Sequence, residues 1–322
     1  MNNTLKSLCN VIPGTIIEGK WHHNRYTILK ELGSGANGIV YLAQFHNQKV
    51  ALKMSDNGMS ITSEVNVLKS FAKVQGSSLG PSLIDVDDWV VRNQNVSFYV
   101  MEYIEGPDLL TFISQKSRGW TEVLILQLLN DLHTLHEKGW VFGDLKPENL
   151  IVMGPPPRIR CIDVGGTTIQ GRAIKEFTEF YDRGYWGMGT RKAERTYDLF
   201  AVGMIMINTE YPKRFNKTTG GINQLRNMLK QKKELLKYEE VILNALQGNY
   251  QTAKEMRSDL LQTLNQPSSN STVTSTQKPR TRAAVHHSRQ TYQKRKGNWF
   301  ETIFIVMVIS ILYFIYIYGQ VI

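Results

Sequence analysis

Short runs in which apolar and polar positions alternate dominate the first hundred residues. Tyr26 to Leu32, Val40 to Ala43, Lys49 to Met54, Ser82 to Val86 and Val96 to Met101 all read as strands. The period changes within Ile61 to Lys73, where Ile61, Val65, Leu68 and Phe71 recur at helical spacing. Further on, Glu122 to His136 predicts a helix that buries Leu124, Leu128, Leu132 and Leu135 and stops at Gly139. Asp198 opens an apolar helix through Ile207, and 222–264 is helical in pattern throughout, its charges forming a solvated face.

Between these regions lie two short apolar runs, Leu150 to Met153 and Ile159 to Ile162, separated by a glycine-proline turn. Polar residues gather at their ends. Asp144, Lys146 and Asn149 fall on the loop before the first run, and Asp163 follows the second. Carboxylates, an ammonium and an amide on one spot offer hard oxygen ligands for a divalent metal and a cation for a phosphoryl group. That set predicts phosphoryl transfer. Gly33-Ser34-Gly35-Ala36-Asn37-Gly38 is a weak signal taken alone. Strands rather than a helix follow it, however, which disfavours a dinucleotide fold and suits glycines that admit phosphate oxygens to backbone N–H groups.

The stretches Phe142-Gly143-Asp144-Leu145-Lys146-Pro147-Glu148-Asn149 and Asp163-Val164-Gly165 resemble the catalytic-loop and metal-binding motifs of protein kinases. With Val50-Ala51-Leu52-Lys53, the chain over about Lys20 to Asn265 is similar to the bacterial Hanks-type, eukaryotic-like Ser/Thr kinases, and among them to the membrane-anchored kinases of sporulating bacilli. The resemblance implies an α+β, two-lobed protein-kinase-like fold: an extension over 1–19, a small antiparallel-sheet lobe over about 20–101 and a helical lobe over about 105–265. It implies ATP and Mg²⁺ as cofactors. Asp144 would orient or deprotonate the acceptor hydroxyl and Lys146 would neutralise the moving phosphoryl group, with Thr190 supporting both. Asn149 and Asp163 would hold the metal. Gly33, Gly35, Gly38 and Val40 would cover the nucleotide, and Lys53, paired with Glu64, would meet its α/β-phosphates. Glu102 and Ile104 would bind adenine behind Met101, and Asp108 would meet the ribose. Asp198 would fix the catalytic-loop backbone, and residues 165–189 would form an activation segment offering Thr167, Thr168, Thr178, Tyr181 and Tyr185 as hydroxyls.

Three departures from the kinase pattern stand out. Gly143 replaces the arginine that pairs with a phosphorylated activation segment, which removes the usual electrostatic switch. Phe142 and Val164 replace a histidine and a phenylalanine, as if bulk had moved from one position to the other. Asn249 stands where relatives carry an arginine for the glutamate matched by Glu194, which would leave Glu194 without that partner. None of these removes a phosphate or metal ligand.

A length of 322 residues suits such an enzyme plus appendages. Cys9 and Cys161 suggest no disulfide framework, and His133 and His136 have no third ligand in view for a metal. No cleaved signal peptide is read at the start of the chain. The net charge of +10 is uneven, with seven basic residues against the single acid Glu301 from Gln266 onward. Residues 266–299 are expected to be a disordered basic juxtamembrane linker. Thr302 to Tyr318 carries no charge, and about twenty residues span roughly 30 Å, so 300–320 predicts a transmembrane helix. The expectation is a single-pass, tail-anchored protein with its kinase domain in the cytoplasm. Lys278 to Lys296 would set topology, bind anionic lipid or bind DNA. The expected partners are protein substrates phosphorylated on Ser/Thr, and a second copy in a homodimer for autophosphorylation in trans. Two rival readings remain at this point: a small-molecule phosphotransferase of kinase-like fold, and a catalytically silent membrane scaffold that binds DNA.

Overall fold

The computed structural model describes residues 7–35, 37–72, 79–116, 119–218 and 220–265. The alternating runs become strands β1 (Ile16–Glu18), β2 (Arg25–Gly35), β3 (Gly38–Phe45), β4 (Gln48–Ser55), β5 (Leu83–Val91) and β6 (Gln94–Glu102) of one sheet, ordered β1-β2-β3-β4-β6-β5. Every neighbouring pair is antiparallel. Strand alternation sorts the two faces. Val50, Leu52 and Met54 pack with Tyr26, Phe98 and Val100 on one face, while Ala51, Tyr99 and Met101 join the larger core on the other. Helix α1 (Gly58–Ala72) lies against β4, β5 and β6, burying Ile61, Val65, Leu68 and Phe71 as its spacing predicts, with Glu64 among them.

Of the expected extension over 1–19, the described residues 7–19 are part of this lobe. Ile17 of β1 pairs with Tyr26 of β2, Leu8 and Cys9 are buried in the lobe's core, and the Tyr41 hydroxyl donates to the Cys9 carbonyl at 2.8 Å. A three-residue strand shows no period, so only its pairing reveals it.

The second lobe comprises α2 (Leu109–Gln115), α3 (Gly119–Glu137), β7 (Trp140–Val141), the hairpin β8 (Leu150–Met153) and β9 (Arg158–Cys161), and β10 (Thr168–Ile169), followed by α4 (Arg183–Trp186), α5 (Arg195–Glu210), α6 (Ile222–Lys230), α7 (Lys233–Leu236), α8 (Glu239–Gln247) and α9 (Ala253–Asn265). Helix α5 is its axis. Every residue from Tyr197 to Asn208 is buried, as an all-round apolar helix must be, and α3 and α8 pack against it. The continuous helical pattern of 222–264 is cut into separate helices, one ending at Gly248 in the left-handed conformation.

Among the described residues no helix is long and apolar enough to cross a membrane. The predicted linker at 266–299, with its basic residues Lys278 to Lys296, and the predicted span at 300–320 lie outside the described residues.

Candidate active site

A cavity of about 1120 Å³ opens between the two lobes. Its roof is the β2–β3 hairpin, where Gly38 has φ +132° and a Cβ there would lie 2.3 Å from the Met54 carbonyl. Only glycine fits that backbone. A Cβ at Gly33 or Gly35 would meet no described atom within 4 Å, which leaves room beneath the hairpin for phosphate oxygens. Val40 and Ala51 line the same roof, and Lys53 projects from β4. Lys53 Nζ lies 2.7 Å from Glu64 Oε2, with the two residues only 7% and 3% exposed. A buried pair this close holds both side chains in place.

At the back of the cavity β6 ends in Met101 and Glu102, and Ile104 follows. The Glu102 carboxylate is turned to structural use. It takes a bidentate ion pair from Arg160 at 3.2 and 2.9 Å and the Ser82 N–H at 3.1 Å. Burial alone would raise this carboxyl, but Arg160 and the Ser82 N–H hold it below the ordinary range. The Glu102 carboxylate is therefore already engaged within the protein, and the Glu102 N–H donates to the Ser82 carbonyl at 2.9 Å. Asp108, expected at the ribose, does not line the cavity. Its carboxylate caps α2, accepting from Thr111 N at 3.0 Å and Thr111 Oγ1 at 2.6 Å. An Asp three residues before a Thr at a helix start is an N-cap signal, and here the cap has claimed the side chain.

The floor is the loop after β7. Asp198 of α5 accepts the N–H groups of Phe142 and Gly143 at 2.8 and 2.9 Å, and His136 Nε2 donates to it at 2.8 Å. The role expected of Asp198 is thereby met in geometry, and His136 has a structural partner. Gly143 has φ +88°, and a Cβ there would approach the Gly166 carbonyl to 2.7 Å. The missing arginine thus coincides with a backbone that only glycine adopts without strain. Beyond it, Lys146 Nζ contacts Asp144 Oδ2, and Asn149 Nδ2 donates to the Asp144 carbonyl at 3.1 Å. That bond uses the amide nitrogen of Asn149 and leaves its oxygen, the end that can ligate a cation. Asp163 Oδ1 accepts the Gly165 N–H at 2.9 Å, and both Asn149 and Asp163 line the cavity. An amide oxygen and a carboxylate are a hard donor set that fits Mg²⁺.

A protein kinase domain description matches residues 26–286. The chain belongs to the protein kinase family. It is 54% identical over 98% of its length to the serine/threonine-protein kinase YabT of Bacillus subtilis (strain 168), of which it covers 98%. A cyclin-dependent kinase G1 of Arabidopsis thaliana is 28% identical over 57% of this chain, which spans 32% of that relative. Among solved structures, the Cydia pomonella granulovirus kinase PK-1 superposes with a TM-score of 0.55 at 18% identity, over 72% of this chain and 92% of that one, and shares the fold.

Within this kinase domain the activation segment departs from expectation. Thr190 is exposed, and its carbonyl accepts from Arg183 Nε at 2.7 Å. Thr178 takes the place assigned to Thr190: its hydroxyl donates to Asp144 Oδ1 at 3.0 Å and accepts from Lys146 Nζ at 3.4 Å. The reason is the intervening turn Glu179–Tyr181 and helix α4, which carry residues 179–190 away from Asp144. Thr167 and Thr168 are buried, so none of these three hydroxyls stands free for modification in this conformation. Glu194 is not left without a partner, since Arg183 Nη2 lies 2.8 Å from it, while Asn249 bonds Asn244. Sequence patterns also gave no hint of Glu176. This isolated acid lines the cavity and accepts from Asn37 of the glycine hairpin, and burial and then Asp163 raise its carboxyl.

The placement of Thr178 makes a direct prediction. Thr178→Val removes one donor to Asp144 and should lower kcat by about tenfold, or roughly 1.4 kcal/mol. Thr178→Ser should keep most of the rate, and Thr190→Val should stay near wild type. A steady-state assay in which Thr190→Val is the damaging change would restore the original assignment.

Proposed function

We propose that the chain is a tail-anchored serine/threonine protein kinase that transfers the γ-phosphate of ATP to protein hydroxyls, its own copies included, and engages DNA through Lys278 to Lys296. The observation that carries the catalytic half is the buried Lys53–Glu64 pair sharing one cleft with the Asp144, Lys146 and Thr178 cluster. In this reading Lys53 and the glycine hairpin hold the phosphates, and the backbone of Glu102 and Ile104 meets adenine. Mg²⁺ held by Asn149 and Asp163 would neutralise phosphate charge. Asp144, steadied by Thr178, orients the acceptor hydroxyl and accepts its proton. Lys146 stabilises the negative oxygens of the transferring group. The work is positioning and charge stabilisation, as phosphoryl transfer requires.

The anchor is supported by the uncharged run Thr302 to Tyr318, preceded by Lys294, Arg295 and Lys296, which favour a cytoplasmic side for the residues before it. DNA binding is supported by seven basic residues without an acid among them between Lys278 and Lys296. Near a membrane the same charges are attracted to anionic lipid, so DNA competes with the leaflet for them. DNA that gathers several anchored copies raises their local concentration and favours phosphorylation in trans.

The test compares chains ending at Lys296 and at Asn265, with labelled ATP, a generic protein acceptor, and duplex DNA across salt. The longer chain should label acceptor and itself, lose both activities on Asp144→Asn, and bind DNA with a log–log salt slope of roughly −4.5 to −6. Phosphate appearing only on small molecules would make the chain a phosphotransferase of another kind. Equal DNA affinity in the two chains would reduce the basic stretch to a topology signal.

A further inference from the structure

Tyr99 and Lys53 stand directly opposite each other on β6 and β4. Cross-strand partners share a face of the sheet, and this is the face that α1 covers. There the two side chains converge on a single atom. Lys53 Nζ lies 2.7 Å from Glu64 Oε2, and the Tyr99 hydroxyl donates to the same oxygen at 2.8 Å. The other oxygen, Oε1, accepts from Ser60 Oγ, one turn earlier on α1, at 3.1 Å. Tyr99 also lines the cavity, two positions before Met101 on the same face of the strand.

We propose that Tyr99 is a positioning residue for ATP: its hydroxyl latches Glu64, and with it α1, onto Lys53, so the ion pair stands assembled without a phosphate on the activation segment. The proposal rests on the kinase reading of this cleft and adds to it how the helix is held. Lys53 must divide its charge between Glu64 and an incoming phosphate, so its hold on Glu64 weakens when the site is used. Among the described residues the Tyr99 hydroxyl bonds only Glu64. Burial, then the Glu64 carboxylate, push the phenol well above its ordinary range, so it remains a donor at any working pH. The sheet register fixes where that donor sits before ATP arrives. A built-in latch also fits the rest of the chain. Gly143 offers no cation to a phosphorylated segment, Thr167 and Thr168 are buried, and Thr178 is bonded to Asp144.

Tyr99→Phe removes the hydroxyl and keeps the ring that packs in the core. Calorimetric titration of Mg·ATP into the full chain carrying Asp144→Asn, where turnover is suppressed, should show the dissociation constant rise about fivefold with Tyr99→Phe, because a smaller fraction of molecules has the pair assembled. In the active chain, KM for ATP should rise by a similar factor while kcat stays within about twofold, since bound ATP draws the pair together again. In a Glu64→Ala background the same change should alter affinity by less than about 1.5-fold, for no carboxylate is left to latch. A purely structural role would instead lower kcat and melting temperature at unchanged affinity, or repeat the fivefold loss without Glu64. Either result overturns the proposal. Should the wild-type chain transfer no phosphate at all, the kinase reading fails, while the binding titrations still decide the role of Tyr99.

Discussion

Alanine at Asp163 or at Lys53 yields a folded chain that no longer transfers phosphate at a useful rate. The expected loss is about 10²- to 10³-fold for Lys53→Ala and at least as large for Asp163→Ala, the range found when one preorganised charge-stabilising group is removed from an active site. The two changes differ in what else they disturb. Asp163 is bonded to its own loop through the Gly165 N–H, so its removal leaves the surrounding packing in place and the melting temperature nearly unmoved. Removing Lys53 strands a carboxylate that is 3% exposed. Tyr99 and Ser60 still donate to that carboxylate, which moderates the penalty for a broken buried pair from the usual 3–5 kcal/mol toward its lower end. Rates and thermal melts measured on the same preparations separate the two effects. Near-wild-type phosphate transfer in either variant would remove that residue from the reaction.

Asp198→Ala is expected to do its damage from beneath the site. Its carboxylate is fully buried and receives two backbone N–H groups and the His136 ring. Alanine leaves all these donors without an acceptor where water does not reach. At about 1–3 kcal/mol for each orphaned group, partly relieved by relaxation, the destabilisation should be about 3–5 kcal/mol. Such a change lowers the melting temperature by about 10 °C in a domain of this size. Below that temperature the loop carrying Asp144 loses its anchor, and a displacement of about 1 Å at the reacting groups is worth roughly 10²-fold in rate. Asp198→Asn keeps one acceptor and should fall between alanine and wild type. Chemical denaturation checks the stability and a rate assay below the transition checks the activity. An alanine variant melting within about 2 °C of wild type would mean that the hydrogen bonds to Asp198 carry little of the lobe's stability.

The residues that meet in the cleft were most legible where they lie within a short stretch of chain. Asp144, Lys146 and Asn149 lie within six consecutive residues, and Asp163 follows one hairpin later, so their convergence is enforced by local geometry. Lys53 and Glu64 were legible through the resemblance to kinases, and the strand and helix that carry them are adjacent in the chain. Asp108 misled because an aspartate before a helix serves equally well as a cap, and sequence alone does not say which use prevails. Thr190 misled because the glycine before it fits the family pattern, whereas bonding to Asp144 requires only a hydroxyl at the right distance. Which threonine reaches that distance depends on how many residues α4 and the turn before it consume.

The sequence by itself determined the strand-rich first lobe, the helical second lobe, the family and which lysines, acids and amide meet in the cleft. Each of these follows from periodicity or from spacings of a few residues, and such patterns are written in neighbouring side chains. Only the tertiary structure decided that Ile16–Glu18 closes the sheet, that Thr178 steadies Asp144, that Arg160 claims the Glu102 carboxylate, and that Tyr99 and Lys53 share one oxygen of Glu64. Those pairings join residues between 7 and 58 positions apart. They depend on strand register and loop path, which are set by the packing of the whole core rather than by any local preference.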